Sequence, residues 1–175
     1  MRFKARFDLT PVAGRLIYVP HDYAVQFRPK STAEFRHRSG DLGRYTLGVD
    51  TLQLEVGIET GQLVSLWGLM PRPGWTLVRL KQPHASPGGL QVDMGKPVDS
   101  GDYAIPGAQA WKRRFDEATG WLRIGPDSTV RSDYVEFLEG VVAGIRAEEL
   151  IELWLHPDFS DAHLPSTRKD VAKAP

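Results

Sequence analysis

The chain has 175 residues, a formal net charge of zero and no cysteine. Its 41% hydrophobic and 25% charged residues are typical of a soluble globular protein and argue against a disordered or membrane class. Without cysteine, disulfides, thiolate nucleophiles, iron–sulfur clusters and cysteine-ligated zinc are excluded. No apolar run reaches the ~18 residues of a membrane span, and the N-terminus has no continuous apolar core, so a cytoplasmic protein is expected.

The first part of the chain shows the two-residue periodicity of β-strands. Apolar side chains alternate with basic ones over 3–7, form a short run at 16–19 and alternate again over 23–27. These patterns predict three strands. The polar stretch 28–44, with Pro and Gly, predicts a loop that carries one helical turn around 33–38.

A longer hairpin follows. The spacing of apolar residues over 47–58 predicts one long strand, and 63–69 is its expected partner. Residues 59–61 end in a glycine, which accepts positive φ at no steric cost and therefore favours a turn. A further strand is predicted over 75–80.

The connection 81–109 is rich in glycine and proline, which excludes a long helix or a central strand. Loops of this length are uncommon in compact domains and tend to be lids, binding loops or linkers. The sequence leaves three interpretations open for this segment: a lid, a surface loop, or a boundary between two halves of the molecule.

The second half repeats the pattern of strands and turns. Residues 110–115 and 121–124 predict a hairpin, although a helix over 109–118 competes with it because two aromatic residues there are four apart. Three more strands are predicted at 134–138, 141–145 and 150–155. The expected fold class is mainly β, a single antiparallel sandwich or partly closed barrel of repeated β-hairpins with at most one or two short helices.

Two decapeptides of the chain are similar to each other. Residues 58–67 (IETGQLVSLW) and 145–154 (IRAEELIELW) share Ile, Leu, a β-branched residue, Leu and Trp at matching positions. The similarity predicts an internal duplication, with related hairpins around 47–69 and 134–155 inside one β-rich domain, 1–160. A polar tail, 161–175, is expected to follow it.

Alternation within the matched strands assigns their faces. Val64, Leu66, Ile151 and Leu153 are expected to point into the core. Trp67 and Trp154 then lie at equivalent places on the other side, where they either form an aromatic platform for a ligand or cover the sheet beneath a loop.

Charge is unevenly distributed. Basic residues predominate over 1–46 and acidic residues over 126–165. The two ends pair across one sheet, or their charges simply solvate outward faces, or they form a dipolar surface that steers a charged partner or a second copy of the chain. Nucleic acid is not an expected partner, because the basic excess is answered by an equal acidic patch.

Catalytic motifs are scarce. Phosphate-binding, dinucleotide-binding, nucleophile-elbow and zinc-protease patterns are all missing from the sequence. The remaining candidates are imidazole, carboxylate and phenol groups that could act in acid–base chemistry. They are His21, Asp22, Tyr23, His84, His156 and Asp158. No spacing among them indicates a metal, and neither a metal nor a cofactor is expected.

Two functions remain open at this stage. The preferred one is a non-catalytic bacterial binding protein, of an immunity or accessory type, that meets a protein partner through its loops and charged faces. The alternative is a cofactor-independent enzyme or small-molecule carrier, with a barrel cavity beneath 81–109. A homodimer is among the assemblies that the sequence allows.

Overall fold

The computed structural model describes residues 1–127 and 131–159, and the predicted tail 161–175 lies outside these ranges. The strands are β1 (Arg2–Arg6), β2 (Gly14–Val19), β3 (Ala24–Pro29), β4 (Arg44–Val49), β5 (Leu52–Gly57), β6 (Leu63–Leu69), β7 (Trp75–Leu77), β8 (Ser86–Pro87), β9 (Gly89–Asp93), β10 (Asp102–Ala104), β11 (Lys112–Asp116), β12 (Trp121–Gly125), β13 (Asp133–Leu138), β14 (Val141–Arg146) and β15 (Glu149–Leu155). One α-helix, α1 (Thr32–Ser39), and two 3₁₀ turns, Arg72–Gly74 and Ala108–Ala110, complete the described elements. The prediction of a mainly β fold with very few helices is confirmed.

Local sequence explains α1, which contains the helical turn predicted around 33–38. The Ser31 side chain caps the helix by accepting a hydrogen bond from the Glu34 amide at 3.1 Å, and Arg38 pairs with Glu34 one turn later. Gly40, with φ of 75°, ends the helix. In the described part of the chain, no helix has the length and hydropathy needed to cross a membrane.

Two large sheets have matching strand orders. The six-stranded sheet has the order β10-β4-β5-β6-β3-β2, and the seven-stranded sheet has the order β7-β11-β12-β15-β14-β13-β8. The run β4-β5-β6-β3-β2 corresponds strand for strand to β13-β14-β15-β12-β11, with antiparallel neighbours in both. A short parallel strand lies beside β4 in one sheet and beside β13 in the other. The two halves of the chain therefore use one topology.

A third, two-stranded sheet follows the same relationship. Its strands β1 and β9 pair with each other in antiparallel fashion. The amide of Phe3 in β1 donates to the Glu148 carbonyl at the tip of the β14–β15 hairpin, at 2.7 Å. The amide of Val92 in β9 donates to the Gly61 carbonyl at the tip of the β5–β6 hairpin, also at 2.7 Å. Each half thus contributes one strand that meets a related hairpin tip.

The core lies between the two large sheets, as expected for a β-sandwich. Alternate side chains of both sheets bury there in one cluster. The largest fully buried residues in it include Tyr18, Phe27, Leu47, Leu54, Leu66, Leu90, Leu122, Ile124 and Phe137. Of the two predicted architectures the sandwich is the one observed, and within the described ranges no sheet closes into a barrel.

Two predicted strands differ from the observed ones. Residues 47–58 form part of two strands rather than one long strand, because the chain reverses between Val49 and Leu52. Asp50 begins that turn with φ of 55°, a left-handed conformation that aspartate tolerates better than most residues. The strand predicted over 75–80 ends at Leu77, and the Val78 amide makes one more hydrogen bond to β11, to the Phe115 carbonyl at 3.0 Å.

The prediction of one long loop over 81–109 is wrong. The strands β8, β9 and β10 lie inside it, and β9 is largely buried. Its glycines permit close packing: a Cβ at Gly89 would lie 2.8 Å from Leu9 Cδ1, and one at Gly88 would lie 3.0 Å from the Arg6 carbonyl oxygen. Glycine in this segment therefore marks tight backbone approach instead of looseness.

The repeated decapeptides share a β-bulge. Val64 has no partner opposite it on β5, and Ile151 has none on β14, because the register shifts at both places. Leu63 and Leu150 consequently join the main core cluster. Val64, Leu66 and Leu153 are fully buried as predicted, although Val64 is not part of that main cluster, whereas Ile151 is only half-buried and its assignment to the core is wrong. The structures agree along β6 and β15, whereas the preceding turns differ in length.

Candidate functional site

The outer side of the seven-stranded sheet is covered by residues 78–85, which we call the cover segment. Trp121, Val142 and Trp154 form a second buried cluster on that side, and Leu80 and Ala85 of the cover segment pack against it. The two indole rings meet edge to face, with 6.5 Å between their centroids. We call this covered side the closed face.

A buried polar centre lies beside these tryptophans. The Arg123 guanidinium donates through Nε to Oε2 of Glu152, and the Tyr134 hydroxyl donates to Oε1 of Glu152 at 2.7 Å. The side chains of Arg123 and Glu152 are only 5% and 3% exposed. Burial, reinforced by the hydrogen bond to the Glu152 carboxylate, raises the pKa of Tyr134 to about 12.

Two glycines make room for this centre. Gly144 pairs with Glu152 on the neighbouring strand, and a Cβ added there would lie 2.8 Å from Glu152 Cγ and 3.1 Å from Tyr134 Cε1. A Cβ at Gly125 would lie 2.7 Å from the Cβ of Glu152. The absence of side chains at both glycines lets the carboxylate lie flat between Arg123 and Tyr134.

A cavity opens between the cover segment and the closed face. It has a volume of about 550 Å³ and is lined by all residues of 78–84 together with side chains of the sheet. The sheet residues are Arg114, Arg123, Tyr134, Glu152 and Trp154, with Asp127 at the end of β12. A second cavity, of about 770 Å³, shares His84 and Tyr134 with it and extends toward β1. The polar centre is thus part of the wall of a ligand-sized space.

Asp116 anchors the start of the cover segment. Its carboxylate accepts hydrogen bonds from the amides of Leu80 and Ala118, both at 3.0 Å, and lies 3.5 Å from the Arg79 guanidinium. The Leu80 amide bond is the largest cause that lowers the pKa of Asp116 below its ordinary value, and the Ala118 bond and Arg79 add to it. A charged Asp116 therefore holds the cover segment against the sheet.

Replacing Asp116 with Asn is expected to loosen the cover segment and to destabilise the fold at neutral pH. The pKa of the Asp116 carboxyl is lower in the folded state than in the unfolded state. Its contribution to the free energy of unfolding is therefore fully present above the unfolded-state pKa of ~3.9 and is lost as the pH falls through the folded-state pKa. The free energy of unfolding, measured with urea, should therefore differ between wild type and D116N at pH 6, and this difference should be smaller at pH 2.5. The exposed neighbour Glu117, replaced by Gln, serves as the control. An equal difference at both pH values would contradict the anchoring role.

The corresponding outer side of the six-stranded sheet is partly covered by α1, which packs near Arg44 and Gly57 at the ends of β4 and β5. The part around Trp67 is uncovered, and we call it the open face. Trp67 is paired with Gln26 on β3 and Gln53 on β5, just as Trp154 is paired with residues of β12 and β14. Trp67 is 43% exposed, whereas Trp154 is 5% exposed. Leu69, on the same side of β6, is 54% exposed, and Tyr23 lies beside it because the Met70 amide donates to the Tyr23 carbonyl.

The structure divides the predicted acid–base candidates among separate places. His21, Asp22 and Tyr23 form the exposed turn between β2 and β3, and Tyr23 has φ of 52°. Asp158 pairs through its backbone with β2 and through its carboxylate with Arg15, at 2.5 Å. These four residues belong to the six-stranded sheet and its edge.

The other two candidates lie at the closed face. His84 is in the cover segment and lines both cavities. The His156 ring stacks on Trp121, with 4.9 Å between centroids, and its Nε2 lies 3.1 Å from the Thr119 carbonyl oxygen. Of the residues predicted from the sequence, Trp154 and His84 are therefore the ones that line the cavity under the cover segment.

Sequence reasoning missed Arg123, Glu152 and Tyr134. The available signal was Glu152 itself, a charged residue within the otherwise apolar strand 150–155. Its partners could not be read from the chain, because they lie 29 and 18 residues away and are brought together only by strand register.

Some of the uneven charges are paired between the chain ends. Lys4 and Arg2 lie 3.8 and 4.0 Å from the Glu148 carboxylate, and Arg15 binds Asp158. The interpretation that basic N-terminal residues pair with acidic C-terminal ones is confirmed at these positions. Because all of these side chains are substantially exposed, each pair contributes at most about 1 kcal/mol.

The chain matches no protein-family model, and its sequence shows no significant similarity to a curated protein. Among the residues that the structure describes, no group of three or more His, Asp or Glu side chains is arranged to hold a metal ion. The function must therefore be inferred from the two sheet faces themselves.

Proposed function

We propose that the protein is a non-catalytic binding protein that meets a protein partner through the open face. The observation that carries this proposal is the contrast between the equivalent tryptophans. Trp154 is covered by a segment of its own chain, whereas Trp67 occupies the same position on the related sheet and is 43% exposed. The open face lacks, among the described residues, the layer that completes the closed face.

Three exposed apolar side chains lie on or beside the open face. Trp67 and Leu69 lie on one side of β6, and Tyr23 lies next to the end of that strand. Single exposed apolar residues are common on protein surfaces, but several in one region of a sheet face, among them a tryptophan and a tyrosine, are typical of an interaction surface. The cover segment indicates the shape that fits: an extended chain that places small and branched apolar side chains on the tryptophan.

The remaining features support binding in preference to catalysis. Both carboxylate oxygens of Glu152 in the polar centre accept hydrogen bonds, from Arg123 and Tyr134. The predicted acid–base groups are divided between the β2–β3 turn, the edge strand β2 and the closed face. The arginine-rich and alanine-rich composition without cysteine supports a bacterial protein of the reducing cytoplasm.

Site-specific photocrosslinking in the source organism tests this proposal. A benzophenone amino acid placed at Gln53, which is paired with Trp67, is expected to capture an extended apolar segment of another protein. Adding Trp67→Ala to the same variant should reduce the yield severalfold, because the anchor of the contact is removed. Mass spectrometry of the linked peptides identifies both ends.

The closed face provides the matched control. The same amino acid at Tyr134, which lines the cavity beneath the cover segment, should link to residues 78–85 of its own chain. A Gln53 probe that links only to this chain, within one molecule or between two copies, would overturn the proposal of a separate partner. So would a Gln53 probe that links to nothing while the Tyr134 probe reacts.

A second candidate function is small-molecule binding. It is favoured by the 550 Å³ cavity with its buried polar centre. This cavity lies outside the sandwich, beneath residues 78–85, and not inside a barrel beneath 81–109.

A further inference from the structure

We infer that the cavity under the cover segment binds a small organic anion with a flat apolar body. This inference rests on the second candidate function and is independent of the open face. Its evidence is the composition of the cavity wall: an indole, a proline ring and an imidazole lie beside a set of cationic side chains.

The size and the apolar part of the cavity fit a compact ring system. A volume of about 550 Å³ is within the range of ~300–1,000 Å³ for small-molecule sites. Trp154 belongs to the sheet side of the cavity, and Pro83 and His84 belong to the cover segment opposite. Because Trp154 is only 5% exposed, a planar ligand would contact the small exposed part of its indole together with the Pro83 and His84 rings.

The charges of the wall select an anion. Four cationic side chains, those of Arg79, Lys81, Arg114 and Arg123, line the cavity together with two carboxylates. Glu152 is bound to Arg123 and Asp127 is bound to Arg114, so both carboxylates are already neutralised by arginines of the same wall. Arg79 lies 3.5 Å from the Asp116 carboxylate, so Lys81 is the cation of this wall that no described carboxylate neutralises. Its charge attracts a carboxylate and disfavours a cation.

The charged and apolar parts are adjacent and fixed in place. The Arg123 guanidinium carbon lies 6.0 Å from the centre of the Trp154 ring, and Arg123 is held by the polar centre. Arg114 pairs with Arg123 on the neighbouring strand, and its side chain is mostly buried. A ligand that contacts the small exposed part of Trp154 would therefore place its acid group near Lys81 and the two arginine–carboxylate pairs.

The experiment compares three probes that share one ring and differ in charge: indole-3-acetate, indole-3-acetamide and tryptamine. Binding to the full chain is followed by protein NMR, using the indole N–H signal of Trp154. Indole-3-acetate is expected to shift this signal in a saturable manner and to bind at least ~10-fold more tightly than the amide. Tryptamine should bind more weakly still.

Two matched variants test whether binding of the anion requires a cation in the cavity wall. Lys81→Gln removes a cation of the cavity wall and should weaken indole-3-acetate binding about 3- to 10-fold. Lys112→Gln removes an exposed cation from the strand that carries Arg114, away from the cavity, and should leave binding unchanged. Trp67→Ala should also leave it unchanged, which separates this site from the open face.

Three results would overturn the inference. They are equal affinities for the acid, the amide and the amine; equal effects of the Lys81 and Lys112 variants; and an unperturbed Trp154 signal with all three probes at millimolar concentration. The last result would leave the open-face proposal intact, since that proposal is tested by crosslinking.

Discussion

Replacing Trp154 with alanine is expected to destabilise the fold by about 3–5 kcal/mol, whereas the same change at Trp67 is expected to cost less than about 1 kcal/mol. The two residues have equivalent neighbours in equivalent strands. Trp154 is 5% exposed beneath the cover segment, so its removal leaves a large void and strips Leu80 and Ala85 of their contact. Trp67 is nearly half exposed and leaves little void.

Urea unfolding of both variants, compared with wild type at one pH, measures this difference directly. Trp154→Phe keeps most of the apolar volume and should fall between wild type and the alanine variant. A Trp67→Ala variant as unstable as Trp154→Ala would mean that the open face is covered in solution. That outcome would also remove the basis for a partner at this surface.

The contrast between these tryptophans shows how far the sequence could be interpreted. Periodicity and the matched decapeptides predict the hairpins, and the order β4-β5-β6-β3-β2 recurs as expected for related halves. Which tryptophan is covered depends on the path of residues 78–85 in the tertiary structure. The local sequence patterns of 58–67 and 145–154 do not determine that path.

Errors in the strand predictions have local physical causes. Asp50 turns the chain within an apolar stretch that reads as one strand, because aspartate adopts a left-handed conformation there. In 81–109, glycine and proline suggested an open loop, yet Gly88 and Gly89 serve to bring β9 against neighbouring chain. The same residue type marks a turn in one place and close packing in another, and only the tertiary neighbours decide.

The polar centre could not be predicted because it depends on register. Glu152 requires Gly144 opposite it on β14 and Gly125 nearby on β12, and it requires Arg123 and Tyr134 at its two oxygens. A shift of one residue in either strand pair would place these groups on opposite sides of the sheet. The corresponding position on the six-stranded sheet, Ser65, is paired with Glu55 and carries no such centre.

Replacing Glu152 with alanine is the second change for which a large effect is expected, about 3–5 kcal/mol of lost stability. It removes the buried carboxylate that balances the Arg123 charge and takes away the acceptor of the Tyr134 hydroxyl. The cost arises mainly from the charge and the hydroxyl that remain buried, since a well-packed apolar pair of similar volume can be as stable as a buried ion pair.

Comparison of Glu152→Ala with the double variant Arg123→Met/Glu152→Leu separates the cost of an unpaired buried charge from the stability of the ion pair itself. The double variant is expected to recover most of the loss, because neither charge is then buried. Urea unfolding at pH 7 gives the free energy of unfolding of both variants. A far-ultraviolet circular dichroism spectrum verifies that the strands persist. If Glu152→Ala cost less than about 1 kcal/mol, water would have to reach Arg123 freely, and the closed face would not be closed.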